Sequence, residues 1–357
     1  MKRRCPGKVT ATMTLRRAFV VSLVGVVGCG AALPASEQQP LVDYSSPCLA
    51  LPTCSAPAPK LGPRADWNHV SSGLVTLGSA NHRGRDQLVR EGDPQWIVGK
   101  FAYGLTDKDL KGEDVDVHVL RGCGPSWELL GTATTTKDGE HATTVGVPDS
   151  GGRIYFEVPQ ARQLEVGRHR VRLVVRGDHT STELYIQVVR ADAAVFLSDV
   201  DGTLTTSEFK EFEELLEGEL TPAHHAAAAA LRGLAGRGYL PIYLTARPEW
   251  LTQRTREFIQ HRGFPQGIIH TTTSLTGALG GAAASFKIAE LDALGGQGFV
   301  PDWAFGNKAS DADAYEHAGI QPLSHRVFYQ LDDVHGGRRI DDYADIEAEL
   351  GAAPLCP

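Results

Sequence analysis

Apolar and polar positions along this 357-residue chain change rhythm once it leaves its N-terminal region. From about Trp67 to Arg190, short runs rich in Val, Thr, Tyr and Phe recur between turn signals such as Lys137-Asp138-Gly139 and Asp149-Ser150-Gly151-Gly152. Such runs, bounded by Gly, Asp, Asn or Pro, read as strands joined by turns. Seven are expected: 95–103, 115–120, 127–136, 141–147, 153–158, 168–176 and 182–189. That many strands in about a hundred residues fits an immunoglobulin-like β-sandwich.

From Ala193 the rhythm becomes strand then helix. Apolar strands are expected at 193–197, 239–245, 267–270, 302–305 and 326–330. Helices are expected from Thr221-Pro222 to Arg237, with Thr221 as cap and Pro222 in the first turn, and at 249–262, 285–294, 310–318 and 341–350. This alternation predicts an α/β fold, a Rossmann-like parallel sheet with helices on both faces. Its ligand site belongs outside the carboxyl ends of the strands. The expected domains are a signal peptide at 1–28, a linker at 29–66, the β-sandwich at 67–190 and the α/β domain at 191–351.

Composition changes the picture mainly at the N-terminus. Six basic and no acidic residues precede Cys29, and an apolar run extends from Ala18 to Val27. This is the shape of an export signal, too short to span a bilayer as a mature helix. Gly28-Cys29 resembles a bacterial lipoprotein cleavage site, which would leave Cys29 lipidated; cleavage after Ala35 would discard it. The expectation is an exported, membrane-anchored bacterial lipoprotein, or otherwise a periplasmic or secreted protein. Without the first 28 residues, 29 Lys and Arg stand against 43 Asp and Glu, a formal −14. That balance excludes nucleic acid as a partner and makes a covalent lipid anchor the more natural attachment to a membrane. Cys48 and Cys54 bracket a loop that a disulfide could close, although another pairing or free thiols stay open.

The candidate chemistry lies in Asp199-Val200-Asp201-Gly202-Thr203, directly after an apolar strand. Residues two apart on a strand share a face, so Asp199 and Asp201 can enter one small volume while Gly202 turns the backbone away. Two adjacent carboxylates invite a divalent cation, and hard oxygen ligands with room for water and phosphate suit Mg²⁺. The pattern suits phosphoryl chemistry, with Asp199 as nucleophile and Asp201 as general acid and base. Thr245 is placed to bond a phosphoryl oxygen or to serve structurally at its strand end, and Lys287 to balance charge or to stand as a solvated helix lysine. Arg247 could hold substrate phosphate or pair with an acid. The ordinary readings are a turn for Arg176-Gly177-Asp178 and for Asp332-Asp333, packed or surface positions for His118 and His179, and a polar helix face for His224-His225.

Asp199-Val200-Asp201-Gly202-Thr203 resembles the first signature of haloacid dehalogenase-like phosphatases. Leu244-Thr245-Ala246-Arg247-Pro248, Phe286-Lys287-Ile288-Ala289, and Phe305-Gly306-Asn307 with Asp311 and Tyr315 follow in the order of the lipin-type domain. That domain occurs in lipins, which are phosphatidate phosphatases, and in membrane-associated phosphatidylinositol transfer proteins. The latter resemblance extends upstream through Pro94–Gly104, Val115–Val119 and Val174–Thr180. It implies a metal held by Asp199, the Asp201 backbone carbonyl and the Gly306-Asn307 loop, with Asp311 direct or through water, and phosphate bound near Gly202 and Thr203. It therefore implies a Mg²⁺-dependent phosphatase of phosphatidate or a related lipid phosphomonoester. The alternatives are a phosphatidate-binding module without turnover, since the transfer proteins generally lack the nucleophilic aspartate, and a phosphatase of soluble phosphomonoesters.

Overall fold

The computed structural model describes residues 51, 52, 54–206 and 220–355. Its N-terminal half packs two β-sheets face to face. Strands β1 (Arg83–Arg85), β3 (Trp96–Lys100) and β8 (Arg153–Glu157) make one sheet in the order β1-β3-β8. Strands β2 (Gln87–Arg90), β6 (Asp114–Leu120), β7 (Glu128–Thr134), β9 (Gly167–Val175) and β10 (Ser181–Val189) make the other, in the order β2-β10-β9-β6-β7. A short helix, α1 (Ser72–Val75), precedes β1, and β4 (Ala102–Tyr103) pairs with β5 (Lys108–Asp109) in a short hairpin. Val115, Val117 and Val119 from β6 meet Val171, Leu173 and Val175 from β9 and Ile97 and Ile154 from the facing sheet in one buried core. The alternation of these valines with polar residues is what made β6 visible in the sequence.

The pattern missed β1 and β2, because Arg83-Gly84-Arg85-Asp86-Gln87 is too polar to resemble a buried strand. It overcalled residues 141–147. That β-branched run buries only Val147 deeply and turns through Val145 and Gly146, both at positive φ, closed by a Thr144–Val147 bridge.

The C-terminal half is a six-stranded, wholly parallel sheet in the order β13-β12-β11-β14-β15-β16. These strands are β11 (Val195–Ser198), β12 (Leu240–Pro248), β13 (Ile268–Thr272), β14 (Trp303–Gly306), β15 (Arg326–Tyr329) and β16 (Arg338–Ile340). Side chains alternate between two cores. Phe196, Tyr243 and Phe305 face helices α2 (Ala227–Gly236), α3 (Thr252–His261) and α6 (Ala344–Gly351). Leu197, Ile242 and Ala304 face α4 (Gly281–Gly296) and α5 (Ala309–His317). With both faces covered, the central strands β11 and β14 are buried throughout, as a parallel sheet requires. The chain winds from β11 outward to β13, then crosses back to β14 on the other flank of β11. That reversal opens a crevice at the carboxyl end of β11.

Helix α2 starts at Ala227 and not at Thr221. Thr205 bridges Ala223, Thr206 N–H donates to Pro222 O at 3.0 Å, and His224 N–H donates to Leu204 O at 2.9 Å. Those bonds hold 222–224 extended against the turn after Thr203, so the helix begins only past Ala226, itself at φ +56°. Short edge strand β16 was also missed.

Polar clamps join the two halves. Asp86, wholly buried, accepts from Arg256 Nη2 at 2.9 Å and from the N–H groups of Tyr185 and Ile269 at 2.8 and 3.0 Å. Arg85 pairs with Glu290 at 2.6 Å, and Arg83 and Arg153 reach Glu249 at 3.1 and 2.7 Å. Each charge in these clamps has a partner, the condition under which such groups are tolerated when buried. The disulfide joins Cys54 to Cys123, not Cys48 to Cys54; Cys48 lies outside the described residues. It closes a separation of 69 residues, worth about 4 kcal/mol in the chain-entropy account. Among the described residues no helix is long and apolar enough to cross a membrane.

Candidate functional site

Three strand ends build the site: Asp199 and Asp201 follow β11, Thr245 and Arg247 close β12, and Asn307 follows β14. Lys287 enters from α4 and Asp311 from the first turn of α5. They line or underlie a cleft of about 380 Å³, whose walls include Ala278, Leu279, Ala283, Lys308 and Ser310. Residues 88 and 112 positions apart in sequence from Asp199 are thereby brought together by the sheet.

At the turn, Gly202 has φ +76°, and a Cβ there would lie 2.2 Å from Asn307 Nδ2. Only glycine meets both demands. Thr203 Oγ1 lies 3.1 Å from Asp199 Oδ2 and 3.0 Å from Asn307 Oδ1, so one hydroxyl bridges the two loops. Gly306 is equally constrained, since a Cβ would meet Asp311 Cβ at 2.5 Å.

Lys287 Nζ donates to Asp199 Oδ1 at 2.7 Å and also to Asp311 Oδ1. The other oxygen of Asp311 accepts the N–H groups of Asn307 and Lys308 at 2.9 and 3.0 Å, which fixes the start of α5. Burial pushes the Asp199 carboxyl up to about 6; Lys287 opposes this, while Asp311 and Asp201 add to it. Burial disfavours the Lys287 ammonium, but Asp199 and Asp311 outweigh it and hold its pKa above the usual value. One cation is thus shared by two carboxylates.

Arg247 lines the cleft with its guanidinium turned to an acid, one of the two roles open to it. Its Nη2 donates to Asp201 Oδ1 at 2.7 Å and its Nε to Oδ2 at 2.9 Å, while Nη1 donates to Thr255 Oγ1 at 3.1 Å. Thr245 serves the same carboxylate: its hydroxyl donates to Asp201 Oδ2 at 3.1 Å and accepts the Arg247 N–H. A buried carboxylate at the strand end takes the nearest donors, and these two lie within its reach.

Among the described residues no three Asp, Glu, His or Cys side chains form a group able to hold a metal ion. The side chains of Asp201 and Asp311, expected near a metal, are committed to Arg247 and Lys287. Asp199, Asp201 and Asp311 nevertheless outnumber Lys287 and Arg247 by one negative charge, and Asp199 and Asn307 present oxygens on either side of Thr203. That donor set fits Mg²⁺ held sparsely by Asp199 and Asn307, with Asp201 contributing only its backbone carbonyl and water or phosphate completing the shell.

Three supports were not foreseen. Tyr343 OH donates to Thr203 O at 3.0 Å, Tyr315 OH to Phe305 O at 2.8 Å, and His224 Nε2 lies 3.1 Å from Gly202 O with its ring stacked on Tyr329. Tyr315 alone carried a signal, in its spacing from Asp311. Asp332 and Asp333 are exposed turn residues, and Asp178 bonds Tyr103 and Thr180 at a strand end, as ordinary readings of both would have it. The acidic stretch 207–219, and Cys29, lie outside the described residues.

Residues 195–329 match the model of the LNS2 domain of PITM 1-3, and residues 80–147 and 141–188 match that of the PITM 1-3 β-sandwich domain. Membrane-associated phosphatidylinositol transfer protein 1 of Homo sapiens is 30% identical over 280 residues, covering 76% of this chain and 20% of the relative. Protein retinal degeneration B of Drosophila melanogaster is 32% identical over 218 residues, 60% of this chain and 16% of the relative. Membrane-associated phosphatidylinositol transfer protein 2 of Mus musculus is 33% identical over 209 residues, 58% of this chain and 14% of the relative. The matched part of the chain spans a fifth or less of these relatives. Its architecture is a β-sandwich domain followed by an α/β domain similar to the LNS2 domain. The expectation of an exported bacterial lipoprotein is overturned, because the relatives are membrane-associated transfer proteins of animals.

Proposed function

We propose that the cleft takes the phosphomonoester headgroup of a phospholipid, phosphatidate or a close relative, in a lipin-type, haloacid dehalogenase-like domain. Asp199 then makes the site a phosphatase. The observation that carries this reading is the Asp199–Lys287–Asp311 cluster beside Thr203, a nucleophile steadied by one shared ammonium and buried in the cleft. The relatives' names supply the phospholipid.

In the reaction, an Asp199 carboxylate oxygen bonds to phosphorus as the bond to the leaving alkoxide breaks, and Asp201 gives that alkoxide its proton. Water, losing its proton to Asp201, then displaces Asp199 and releases phosphate. Lys287 keeps positive charge beside Asp199, and Thr203 orients its second oxygen. Mg²⁺, when bound, supplies neutralisation of the phosphoryl oxygens. Both oxygens of Asp201 accept from Arg247, so proton transfer requires its side chain to rotate off that guanidinium.

That engagement, together with the relatives being transfer proteins, favours a second reading: binding of the same headgroup without turnover. Incubation of the protein with Mg²⁺ and either phosphatidate vesicles or a soluble phosphate ester, for wild type and Asp199→Asn, separates them. Release of phosphate from the lipid, lost in the variant, supports the phosphatase. Vesicle binding with no release by either protein supports the binding module, and preference for the soluble ester rejects a lipid substrate.

A further inference from the structure

Among the described residues, the most exposed large apolar side chains gather on one part of the surface. Val70 and Leu105 are fully exposed, and Leu74 and Leu77 keep 73% and 81% of their surface. They stand on two adjoining loops of the β-sandwich: a Cβ on Gly78 would meet Gly104 Cα at 2.8 Å, and Gly104 N–H donates to Ser79 O at 2.8 Å. Single exposed leucines need no explanation, but a cluster does.

The cluster continues onto the α/β domain. Arg83 holds Asp107, two residues from Leu105, and at the same time Glu249, the neighbour of Trp250. Trp250 Nε1 donates to Leu275 O at 2.9 Å, and Ala278 N–H to Ala246 O at 2.9 Å, so the loop bearing exposed Leu275 and Leu279 is tied to the same edge. Leu279 is itself a wall of the cleft that contains Asp199. The apolar residues therefore form a line from the tip of the sandwich to the mouth of the site.

The loops that carry them lack charge. Residues 68–80, 103–106 and 271–284 contain no Asp, Glu, Lys or Arg, in a chain that is 22% charged. Such segments lose little hydration on entering the boundary between headgroups and acyl chains, where Leu and Trp are favoured. A protein partner fits less well, since interface hot spots favour Arg and aromatic anchors over Leu, and five of these seven residues are Leu. We infer that this edge, Val70, Leu74, Leu77 and Leu105 of the sandwich with Leu275 and Leu279 of the α/β domain, is the surface that dips into a phospholipid leaflet and sets the cleft against it. The inference rests on the lipid reading of the cleft, because a bilayer is the source of that headgroup.

The test is sedimentation of the full chain with phosphatidylcholine vesicles, with and without phosphatidate. The sandwich variant Leu74→Ser/Leu77→Ser/Leu105→Ser, all remote from Asp199, should bind vesicles more weakly by roughly tenfold per leucine. Its unfolding midpoint and any turnover of a soluble phosphate ester should be unchanged. Wild-type sedimentation by the triple variant overturns the inference, as does failure of wild type to bind either vesicle. A wild-type dimer in size-exclusion chromatography that the variant converts to monomer also overturns it, placing a second copy on this edge. Asp199→Asn keeps the two questions apart: absence of phosphate release rejects the phosphatase, while leucine-dependent sedimentation is judged by itself.

Discussion

Arg247 and Asp201 form a side-on pair, with guanidinium Nη2 2.7 Å from Oδ1 and Nε 2.9 Å from Oδ2, both side chains buried at the end of β12 and after β11. Breaking such a pair from one side leaves a buried charge without compensation, at a cost of about 3–5 kcal/mol. Arg247→Ala should lower the unfolding free energy by that amount. Arg247→Lys should recover little of it, since an ammonium cannot reproduce the fork. Denaturant unfolding of the three proteins checks this.

Lys287 is shared by Asp199 and Asp311, so its loss sets two buried carboxylates against each other. Lys287→Met should destabilise the fold by about 3–5 kcal/mol. Adding Asp311→Asn, which removes one of the two charges, should restore part of that. A double-mutant cycle measures the coupling, and additivity of the two effects would mean that the ammonium does not bridge them.

Asp86 ties the sandwich to the α/β domain through Arg256 and two backbone N–H groups. Asp86→Ala orphans three donors in a dry interface, and a loss of about 3–5 kcal/mol is expected. Because the clamp joins both halves, wild type should unfold in one calorimetric transition and the variant in two.

His82 gives the sandwich an acid sensitivity. Burial holds its pKa down to about 4 from 6.5, partly opposed by Asp178, and Ala102 N–H donates to its Nδ1 at 3.3 Å. The unfolded chain therefore takes up a proton that the folded chain refuses. Stability is full above pH 6.5 and falls as pH drops from 6.5 toward 4, by about 3 kcal/mol from this residue. His82→Gln should flatten that part of the stability profile, measured by urea unfolding at pH 7 and pH 4.5.

The site motifs were legible because each couples an apolar strand to polar residues where the strand must end. That logic located Asp199, Thr245 and Asn307 without coordinates, while Lys287 and Asp311, on helices, were named through the resemblance to the lipin-type domain. It left the roles of Thr245 and Arg247 open, because a one-dimensional pattern gives the end of a strand and not the carboxylate next to it. The same blindness hid β1 and β2. Arg83, Arg85 and Asp86 look like loop residues until Glu249, Glu290 and Arg256, from 166 to 205 residues away, neutralise them.

By itself the sequence determined the strand–helix alternation, the apolar stripes that build two cores, and the glycine turn after β11, all of which depend on local spacing. Only the tertiary structure decided that Arg247 serves Asp201, that Cys54 pairs with Cys123, and that exposed leucines from separate loops share an edge with the cleft. Those outcomes are pairings across space, and a charge, a thiol or an apolar side chain acquires its role from whichever neighbour the folded chain delivers.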